Sequence, residues 1–303
     1  MADIVGIGAN VCDTLFNVPH YPQEDTKLKA ESVMLCGGGP CATGLVAASK
    51  LGASCAYIGA ITDDGAGVFL EEDFQKYNVS TEFVTHEKGY NSFLSCIWLS
   101  ADTASRTCVF DKGNIPPVKL SSKQKEAIKN ANILMIDGNE MSTASEAVKL
   151  AAQNGTKVLY DAGGLYDGVE NLLPYTDILI PSEEFALGYT GAASAEDAAK
   201  LLYDKYNPEV VVITQGKTGG IIYDGEKMKT YPAFLVDAVD TNGSGDVFHG
   251  AFAFAVNSSY NYYDACIFSS AVSAIKCMNV GARESTPTLE QTLKFLKERG
   301  CNV

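Results

Sequence analysis

The chain of 303 residues is 46% hydrophobic and 20% charged, and 23 Lys and Arg residues against 37 Asp and Glu residues give a formal net charge of -14 at pH 7. This composition is typical of a soluble globular protein with a large core, and α/β enzymes of this length often form one domain. The absence of a basic run argues against a nucleic-acid partner, because phosphate contacts need clustered Lys and Arg. No apolar run is long enough to span a membrane.

The nine cysteines are scattered along the chain and form no C-x-x-C pair. Most of them lie in apolar runs, so we expect buried free thiols, which persist in a reducing compartment. The N-terminus shows no basic region followed by a long apolar stretch, and therefore no signal peptide. Together these features predict a cytoplasmic protein.

The first predicted element is a buried parallel strand over residues 4–9. Its two glycines resemble the start of a dinucleotide fingerprint, but the third glycine is absent, so an NAD-type oxidoreductase is a weak alternative. Asn10, Asp13 and Phe16 come next, and a loop with Pro19 and Pro22 follows them; Asp13 could be a solvated loop acid. Residues 27–35 alternate in the manner of a hairpin strand. Gly37 to Pro40 then open a small-residue helix over 41–51, which Gly52 ends.

Residues 55–61 predict another buried strand, and residues 66–77 a helix. The next region has a different texture, because three short segments rich in β-branched and aromatic residues follow one another without a helix. They cover residues 81–85, 92–100 and 106–110. Consecutive strands inserted among α/β repeats predict a small sheet that stands apart from the main one.

From Ser121 onward helices and strands alternate regularly. We predict helices over 122–130, 142–153, 183–189 and 195–206, and strands over 133–136, 157–160, 177–180 and 210–214. This alternation indicates a mostly parallel sheet covered by helices on both faces. Ligands of such sheets bind at the carboxyl ends of the strands, where Asp137, Asp161, Ser182 and Thr214 fall.

The most informative stretch is residues 240–246, Asp-Thr-Asn-Gly-Ser-Gly-Asp, which follows a strand-like segment (231–236) and opens an apolar helix. Glycines permit close backbone approach, and the unpaired amides of a first helical turn bind anions. A carboxylate in the same turn would lie beside that anion and could take a proton. Simple helix capping by Ser244 or Asp246 explains one polar residue. It does not explain an acid at each end with two glycines between.

Residues 240–246 resemble the D-T-x-G-A-G-D signature of the ribokinase-like carbohydrate kinases (PfkB family), with serine in place of alanine. The resemblance implies a single ribokinase-like α/β domain over 1–303. Its central sheet would be mostly parallel with helices on both faces, and a β-sheet lid would come from about 12–36 and 81–115. It also implies that Asp246 is the catalytic base, and that the anion hole is formed by Gly243, Ser244 and Gly245.

The same resemblance assigns residues to the acceptor. Gly8 to Asp13 fits the spacing at which the family's aspartate binds sugar hydroxyls. Residues 37–52 are similar to its second glycine signature, in which Thr43 replaces an asparagine. The implied substrate-binding residues are Asp13, Gly38, Gly39, Thr43, Asn91 and Arg106. Phe110 is a further neighbour of the acceptor, and Trp98 is expected to pack inside the lid.

For the nucleotide, residues 214–219 resemble the family's T-x-G-x-x-G turn, and residues 279–285 its adenine-flanking loop. The implied nucleotide-binding residues are Thr214, Gly216, Gly219 and Asn279. Asp240 and Ser285 correspond to a monovalent-cation (K⁺) site of many relatives. In the family's P-N-x-x-E segment Ser182 and Phe185 replace the asparagine and glutamate, so Glu183 or Glu184 would hold Mg²⁺ through water. Alternatively, these acids only favour a helix start.

We therefore expect an ATP- and Mg²⁺-dependent sugar kinase that forms a homodimer through the lid. The acceptor stays open between ribose, fructose or another ketose, a sugar acid derivative and a nucleoside. A non-catalytic sugar or nucleotide sensor is the alternative that the departures at Thr43, Ser182 and Phe185 favour, although a sensor does not need Asp246. P-loop and G-x-S-x-G motifs are absent, which argues against P-loop and triad-hydrolase chemistry.

Overall fold

The computed structural model describes residues 2–103, 105–301 and 303. In chain order its strands are β1 (Ile4–Ile7), β2 (Val11–Val18), β3 (Ser32–Gly38), β4 (Cys55–Tyr57), β5 (Ala60–Thr62), β6 (Val79–Ser80), β7 (Thr85–Glu87), β8 (Leu94–Ser100), β9 (Ser105–Asp111), β10 (Ile133–Ile136), β11 (Lys157–Ala162), β12 (Ile178–Pro181), β13 (Val210–Thr214), β14 (Gly220–Tyr223) and β15 (Met228–Tyr231).

The helices are α1 (Pro40–Leu51), α2 (Gly65–Lys76), α3 (Ser122–Asn130), α4 (Met141–Asn154), α5 (Glu183–Thr190), α6 (Ala195–Tyr206), α7 (Ser244–Asn257), α8 (Tyr262–Cys277) and α9 (Leu289–Glu298). Short 3-10 turns cover Val169–Asn171, Leu173–Tyr175 and Gly216–Thr218. None of the helices in the described ranges is long and apolar enough to cross a membrane.

A nine-stranded sheet forms the centre of the fold, in the order β15-β14-β13-β12-β11-β10-β1-β4-β6. Every pair is parallel except β13 with β14 and β14 with β15, which are antiparallel at one edge. The inner strands read as continuous apolar runs because both faces are covered. One core lies against α1, α7 and α8, and the other against α4, α5 and α6. The predicted α/β class is confirmed.

A separate four-stranded sheet, here called the small sheet, has the order β3-β2-β8-β9. Strand β2 pairs antiparallel with β3 and parallel with β8, and β8 pairs antiparallel with β9. The predicted loop with Pro19 and Pro22 follows β2, whereas Asp13, which could by itself be a loop acid, lies within β2. Pairing with strands on both sides overrides the local preference of Asp13, Thr14 and Asn17 for irregular structure.

Three other predicted strands differ from the structure. Residues 81–85 form no strand of the small sheet, since β6 belongs to the large sheet and β7 pairs with β5. The predicted strand over 55–61 divides into β4 and β5. The predicted strand over 231–236 ends at Tyr231, where Pro232 follows and brings no amide hydrogen for a ladder. The predicted helix starts and ends agree within about two residues, the scatter expected at helix termini.

Candidate active site

Two cavities meet at the N-terminus of α7. The larger has a volume of about 470 Å³ and is lined there by Thr241, Ser244 and Gly245. The smaller has a volume of about 170 Å³ and is lined there by Asn242 and Asp246. The first turn of this helix therefore presents its glycine-rich backbone to one cavity and its acid to the other.

The two glycines of this turn serve different purposes. Gly243, the residue before the helix, has φ 71°, and a Cβ placed on it would stand 2.5 Å from the Ala282 Cβ. A side chain at Gly243 is therefore excluded by the fold itself. A Cβ on Gly245 would meet no described atom within 4 Å. Gly245 keeps space open in the larger cavity rather than in the protein core.

Two amides of this turn, those of Gly245 and Asp246, are free to bind an anion. Ser244 donates its amide to the Thr241 carbonyl at 3.2 Å, and Val247 donates to the Gly243 carbonyl at 2.9 Å. Among the residues that the structure describes, the amides of Gly245 and Asp246 have no acceptor. Unpaired amides at the positive end of a helix dipole form an anion site.

Asp246 is partly buried at the boundary of the smaller cavity. Burial raises the pKa of its carboxyl, and the negative charge of Asp137 raises it further, while His249, Arg106 and Lys276 lower it. A carboxylate with a raised pKa is a stronger base than an exposed one, and the ideal general base has a pKa near the operating pH. Its environment therefore suits proton abstraction.

Asp13 lies in the wall of the same cavity and is 6% exposed. The Ser95 hydroxyl donates to its Oδ1 at 2.6 Å. Burial raises the pKa of Asp13 to about 6, although the hydrogen bond from Ser95 opposes the shift. A Cβ on Gly38 would lie 1.9 Å from the Asp13 Oδ2, so this carboxylate can occupy its position only beside a glycine.

Thr43 completes the polar surface of the smaller cavity. It is fully buried in α1, and its hydroxyl has no hydrogen-bond partner in the described part of the chain. An unpaired buried hydroxyl costs free energy unless a ligand or water satisfies it. The rings of Phe93 and Phe110, whose centroids are 5.8 Å apart, form the apolar side of the cavity. The cavity thus suits a small molecule that carries hydroxyl groups.

The larger cavity is formed by the end of β13 and by α7 and α8. Its wall includes three of the four predicted nucleotide-binding residues, namely Thr214, Gly216 and Gly219. Lys217 adds a positive charge, and Phe234 and Phe248 add aromatic surface. A cavity of this size with aromatic walls and a few convergent polar groups is typical of a site for a ligand of nucleotide size.

Some predicted residues lie elsewhere. Asn91 and Asn279 are exposed and line neither cavity. Arg106 lines the larger cavity, not the smaller one that holds Asp13, and its Nη1 is 3.4 Å from the Asn242 Oδ1. Glu183 lines neither cavity, and its Oε1 accepts a hydrogen bond from the Gln215 Nε2 at 2.7 Å. Ser182 caps α5, and Phe185 is buried against Tyr160 and Tyr189.

Asp240 is buried behind the turn and holds it in place. Its Oδ1 accepts from the Asn242 amide at 2.8 Å, and its Oδ2 from the Gly281 amide at 2.9 Å. The ammonium of Lys276, which is fully buried, donates to the Asp240 carbonyl at 2.7 Å and lies 3.5 Å from its Oδ2. Burial lowers the pKa of Lys276, and the charge of Asp240 opposes this shift. Ser285 donates to the Gly281 carbonyl.

His249, in α7, lies at the centre of a second group of buried polar residues. Nδ1 of His249 is 2.6 Å from the Gly245 carbonyl and 3.3 Å from the Asp161 Oδ2, and its Nε2 is 3.0 Å from the Ile180 carbonyl. Burial raises the pKa of Asp161 to about 7, while His249 opposes the shift. Asp137 accepts the amides of Ala9, Cys41 and Asn139, and therefore fixes the start of α1.

The sequence did not indicate the roles of Ser95, Lys276 and Arg283. Arg283 is fully buried and donates to Asp73 at 2.6 Å, to the Asn10 side chain at 2.9 Å and to the Gly38 carbonyl at 2.6 Å. It links the loop after α8 to the glycine turn beside Asp13. Lys276 and Arg283 could have been noticed as charges within apolar or glycine-rich stretches, but their partners are distant in sequence.

A cavity of nucleotide size, a smaller cavity with polar lining and a helix N-terminus with a carboxylate between them are the parts that a small-molecule phosphotransferase needs. The model of the pfkB family carbohydrate kinases matches residues 1–289, and the chain belongs to this family.

Individual relatives extend along nearly the whole chain. The ribokinase of Haemophilus influenzae is 28% identical and is matched over 96% of this chain and 97% of its own. The 5-dehydro-2-deoxygluconokinase of Clostridium perfringens (strain ATCC 13124) is 26% identical over 98% and 93%. The ribokinase of Arabidopsis thaliana, solved with ribose and ATP, has a TM-score of 0.86 at 23% identity over 98% and 99% of the two chains. The fold is that of the ribokinases.

Proposed function

We propose that this kinase transfers the γ-phosphoryl group of ATP to a hydroxyl of a small sugar such as ribose, fructose or a similar ketose. The observation that carries the proposal is the position of Asp246 and Asp13 in one cavity of about 170 Å³, beside the unpaired amides that face a cavity of about 470 Å³. The larger volume lies in the range usual for small-molecule and cofactor sites, and the smaller lies below it. ATP in the larger cavity and a monosaccharide in the smaller would meet at α7.

The roles of the residues follow from this arrangement. Asp13 and Thr43 bind acceptor hydroxyls and orient one of them toward Asp246. Asp246 accepts the proton of that hydroxyl as its oxygen forms a bond to the γ-phosphorus and the bond from phosphorus to the β-phosphate oxygen breaks. The free amides of Gly245 and Asp246, aided by the helix dipole, stabilise the charge on the transferring group. ADP leaves from the larger cavity.

Mg²⁺ would neutralise part of the phosphate charge. Within the described ranges no group of three or more His, Cys, Asp or Glu residues could hold a metal ion. The donor set therefore suits a Mg²⁺ ion held mainly by the ATP phosphates and water, which is a mode that Mg²⁺ favours. Glu183, placed by Gln215 beside the nucleotide turn, is the residue that we propose to contact it through water.

A nucleoside is the second candidate acceptor. Phe93 and Phe110 offer aromatic surface at the smaller cavity, on which a base could stack. The small volume of this cavity favours a free sugar over a nucleoside as the acceptor.

The test is a coupled assay of ADP release with ATP, Mg²⁺ and a panel of pentoses, ketohexoses, sugar acids and nucleosides. We expect strong acceptor-dependent release with one or a few monosaccharides. Release with nucleosides alone would replace the sugar by the second candidate. No acceptor-dependent release anywhere in the panel would contradict the proposal.

We also propose that the small sheet pairs with a second copy. Large apolar side chains are exposed on one face of its strands, namely Val33, Leu35, Leu94 and Val109. Apolar patches of this kind often mark interfaces. Sedimentation at micromolar concentration is expected to show a dimer, and Val109→Lys is expected to shift it toward monomer; a wild-type monomer would contradict the pairing.

The nine free thiols further support a reducing, cytoplasmic location.

A further inference from the structure

The buried ammonium of Lys276 is the feature that the proposed reaction leaves unexplained. Lys is rarely fully buried unless its charge is paired. Here the side chain is 0% exposed and reaches back from the last turn of α8 to Asp240, the first residue of the glycine-rich motif. It contacts the same residue that resemblance assigns to a monovalent-cation site.

The oxygen atoms around that site already accept hydrogen bonds, which leaves less of their capacity for a bound monovalent cation. Such an ion needs several oxygen ligands to replace its hydration shell. The nearby oxygens already accept hydrogen bonds: both carboxylate oxygens and the carbonyl of Asp240, and the carbonyls of Gly281, Ala282, Arg283 and Glu284. The Glu284 Oε2 is a buried side-chain oxygen of this loop without a hydrogen-bond partner in the described part of the chain.

Two ammonium groups supply the positive charge instead. Lys276 neutralises Asp240, and Lys50 donates to the carbonyls of Arg283 and Glu284 at 2.9 Å each. The charge of Glu284 acts on Lys50 and on Lys76, so its unpaired oxygen also has cationic neighbours. A further cation beside Asp240 would be repelled by the Lys276 ammonium.

We propose that the Lys276 ammonium is a built-in cation that replaces a bound monovalent ion, so that this kinase works without K⁺. The group is a positioning residue. By neutralising Asp240 it holds the turn that ends at Gly243, and thereby the free amides of Gly245 and Asp246 and the carboxylate of Asp246. The inference rests on the proposed phosphoryl transfer, and its test includes a readout that does not require activity.

The first experiment uses the wild-type protein. Turnover and the midpoint of thermal unfolding are measured in KCl, NaCl and tetramethylammonium chloride at equal ionic strength. We expect both quantities to be the same in the three salts. Activation by K⁺, or a rise of the unfolding midpoint specific to K⁺, would overturn the proposal. If no acceptor is turned over in any salt, the proposed function fails, whereas the unfolding midpoint still tests the cation.

The second experiment compares two substitutions of one residue. Lys276→Ala removes the charge and leaves space, whereas Lys276→Met removes the charge but fills the space. In tetramethylammonium chloride we expect both to lower kcat/KM by on the order of 10–100-fold, the loss typical of groups that position a functional residue from behind. K⁺ or ammonium ions should restore both rate and unfolding midpoint in Lys276→Ala, but not in Lys276→Met.

A control and a fallback complete the design. Lys157→Met removes a surface ion pair with Glu209 and should change neither the rate nor its salt dependence. If removal of Lys276 alone prevents folding, because Asp240 becomes an unpaired buried charge, the pair Lys276→Met with Asp240→Asn is used. Wild-type turnover without K⁺ in Lys276→Ala, or in the paired variant if Lys276→Ala does not fold, would overturn the assigned role.

Discussion

The larger cavity takes its anion-binding groups from the backbone of one helix, whereas the smaller cavity takes its polar groups from side chains on separate elements. Ser244 and Gly245 are neighbours in sequence, and both face the larger cavity. Asp13, Thr43 and Asp246 come from β2, α1 and α7. Under the proposed function, a local glycine pattern would determine where phosphate binds, and long-range packing would determine which acceptor binds. Substitutions on the two sides should separate catalysis from acceptor affinity.

The largest expected effect is that of Asp246→Asn, at the boundary of the two cavities. The amide keeps the size of the carboxylate but cannot accept the hydroxyl proton. We expect turnover to fall by about 10²–10⁴-fold, as is typical for loss of a general base, with nucleotide affinity retained. Steady-state rates and calorimetric nucleotide binding measure the two quantities. Near-normal turnover would remove Asp246 from the role of base.

The two glycines of the turn give the sharpest matched pair. Gly245→Ala places a methyl group in the larger cavity without touching the protein, so we expect normal unfolding and turnover lower by about 10²-fold, comparable to loss of one oxyanion donor. Gly243→Ala forces a left-handed backbone and a contact with Ala282, so we expect a lower unfolding midpoint. Thermal unfolding and kinetics of both variants test the difference. A normal rate in Gly245→Ala would show that no ligand approaches this point.

Asp13→Asn should act on acceptor affinity. A hydrogen bond to a charged group is worth about 1.5–3 kcal/mol, so KM for the sugar should rise by roughly 10–100-fold with a smaller change in KM for ATP. Ser95→Ala is the milder companion, because it removes only the hydroxyl that donates to Asp13. Initial rates over a range of both substrates measure this split. Equal increases in both KM values would place Asp13 outside the acceptor site.

Asp13→Asn should also change the stability of the protein, and here the substitution should be favourable rather than harmful. The pKa of Asp13 rises from 3.8 to about 6 on folding. The folded state therefore holds this proton more tightly than the unfolded chain, and ionisation lowers stability as pH rises from about 4 through 6. Asp13→Asn should raise the unfolding midpoint at pH 8 and change it little at pH 4. The opposite order would contradict the raised pKa.

The smallest expected effect concerns Mg²⁺. Glu183→Gln should raise the Mg²⁺ concentration for half-maximal rate by a few fold, with a smaller change in saturated turnover, because the contact runs through water. Glu184 is exposed and is the control position. An unchanged Mg²⁺ requirement in both Glu183→Gln and Glu184→Gln would show that these acids only start α5.

The sequence predicts the larger cavity, which is built from a local motif, better than the smaller cavity, which is built from distant residues. The sequence predicted that residues 240–246 open a helix, and the structure has the motif at the start of α7, facing the larger cavity. This part was predictable because the conformation of the motif depends on glycines within it. The local pattern did not place Asp13 within a strand, although the family resemblance placed it in the lid, since β2 is stabilised by pairing with β3 and β8 rather than by its own polar residues. The contacts of Lys276 with Asp240 and of Arg283 with Gly38 join residues 36 and 245 positions apart, and no local pattern encodes them.

The most direct test of the central claim is the stoichiometry of the transfer across the two cavities. ATP labelled in the γ-phosphate is incubated with the best acceptor of the panel, and ADP, sugar phosphate and free phosphate are quantified together. Phosphoryl transfer between the cavities predicts one sugar phosphate for each ADP and little free phosphate. ADP formed with an equal amount of free phosphate, and without sugar phosphate, would contradict it.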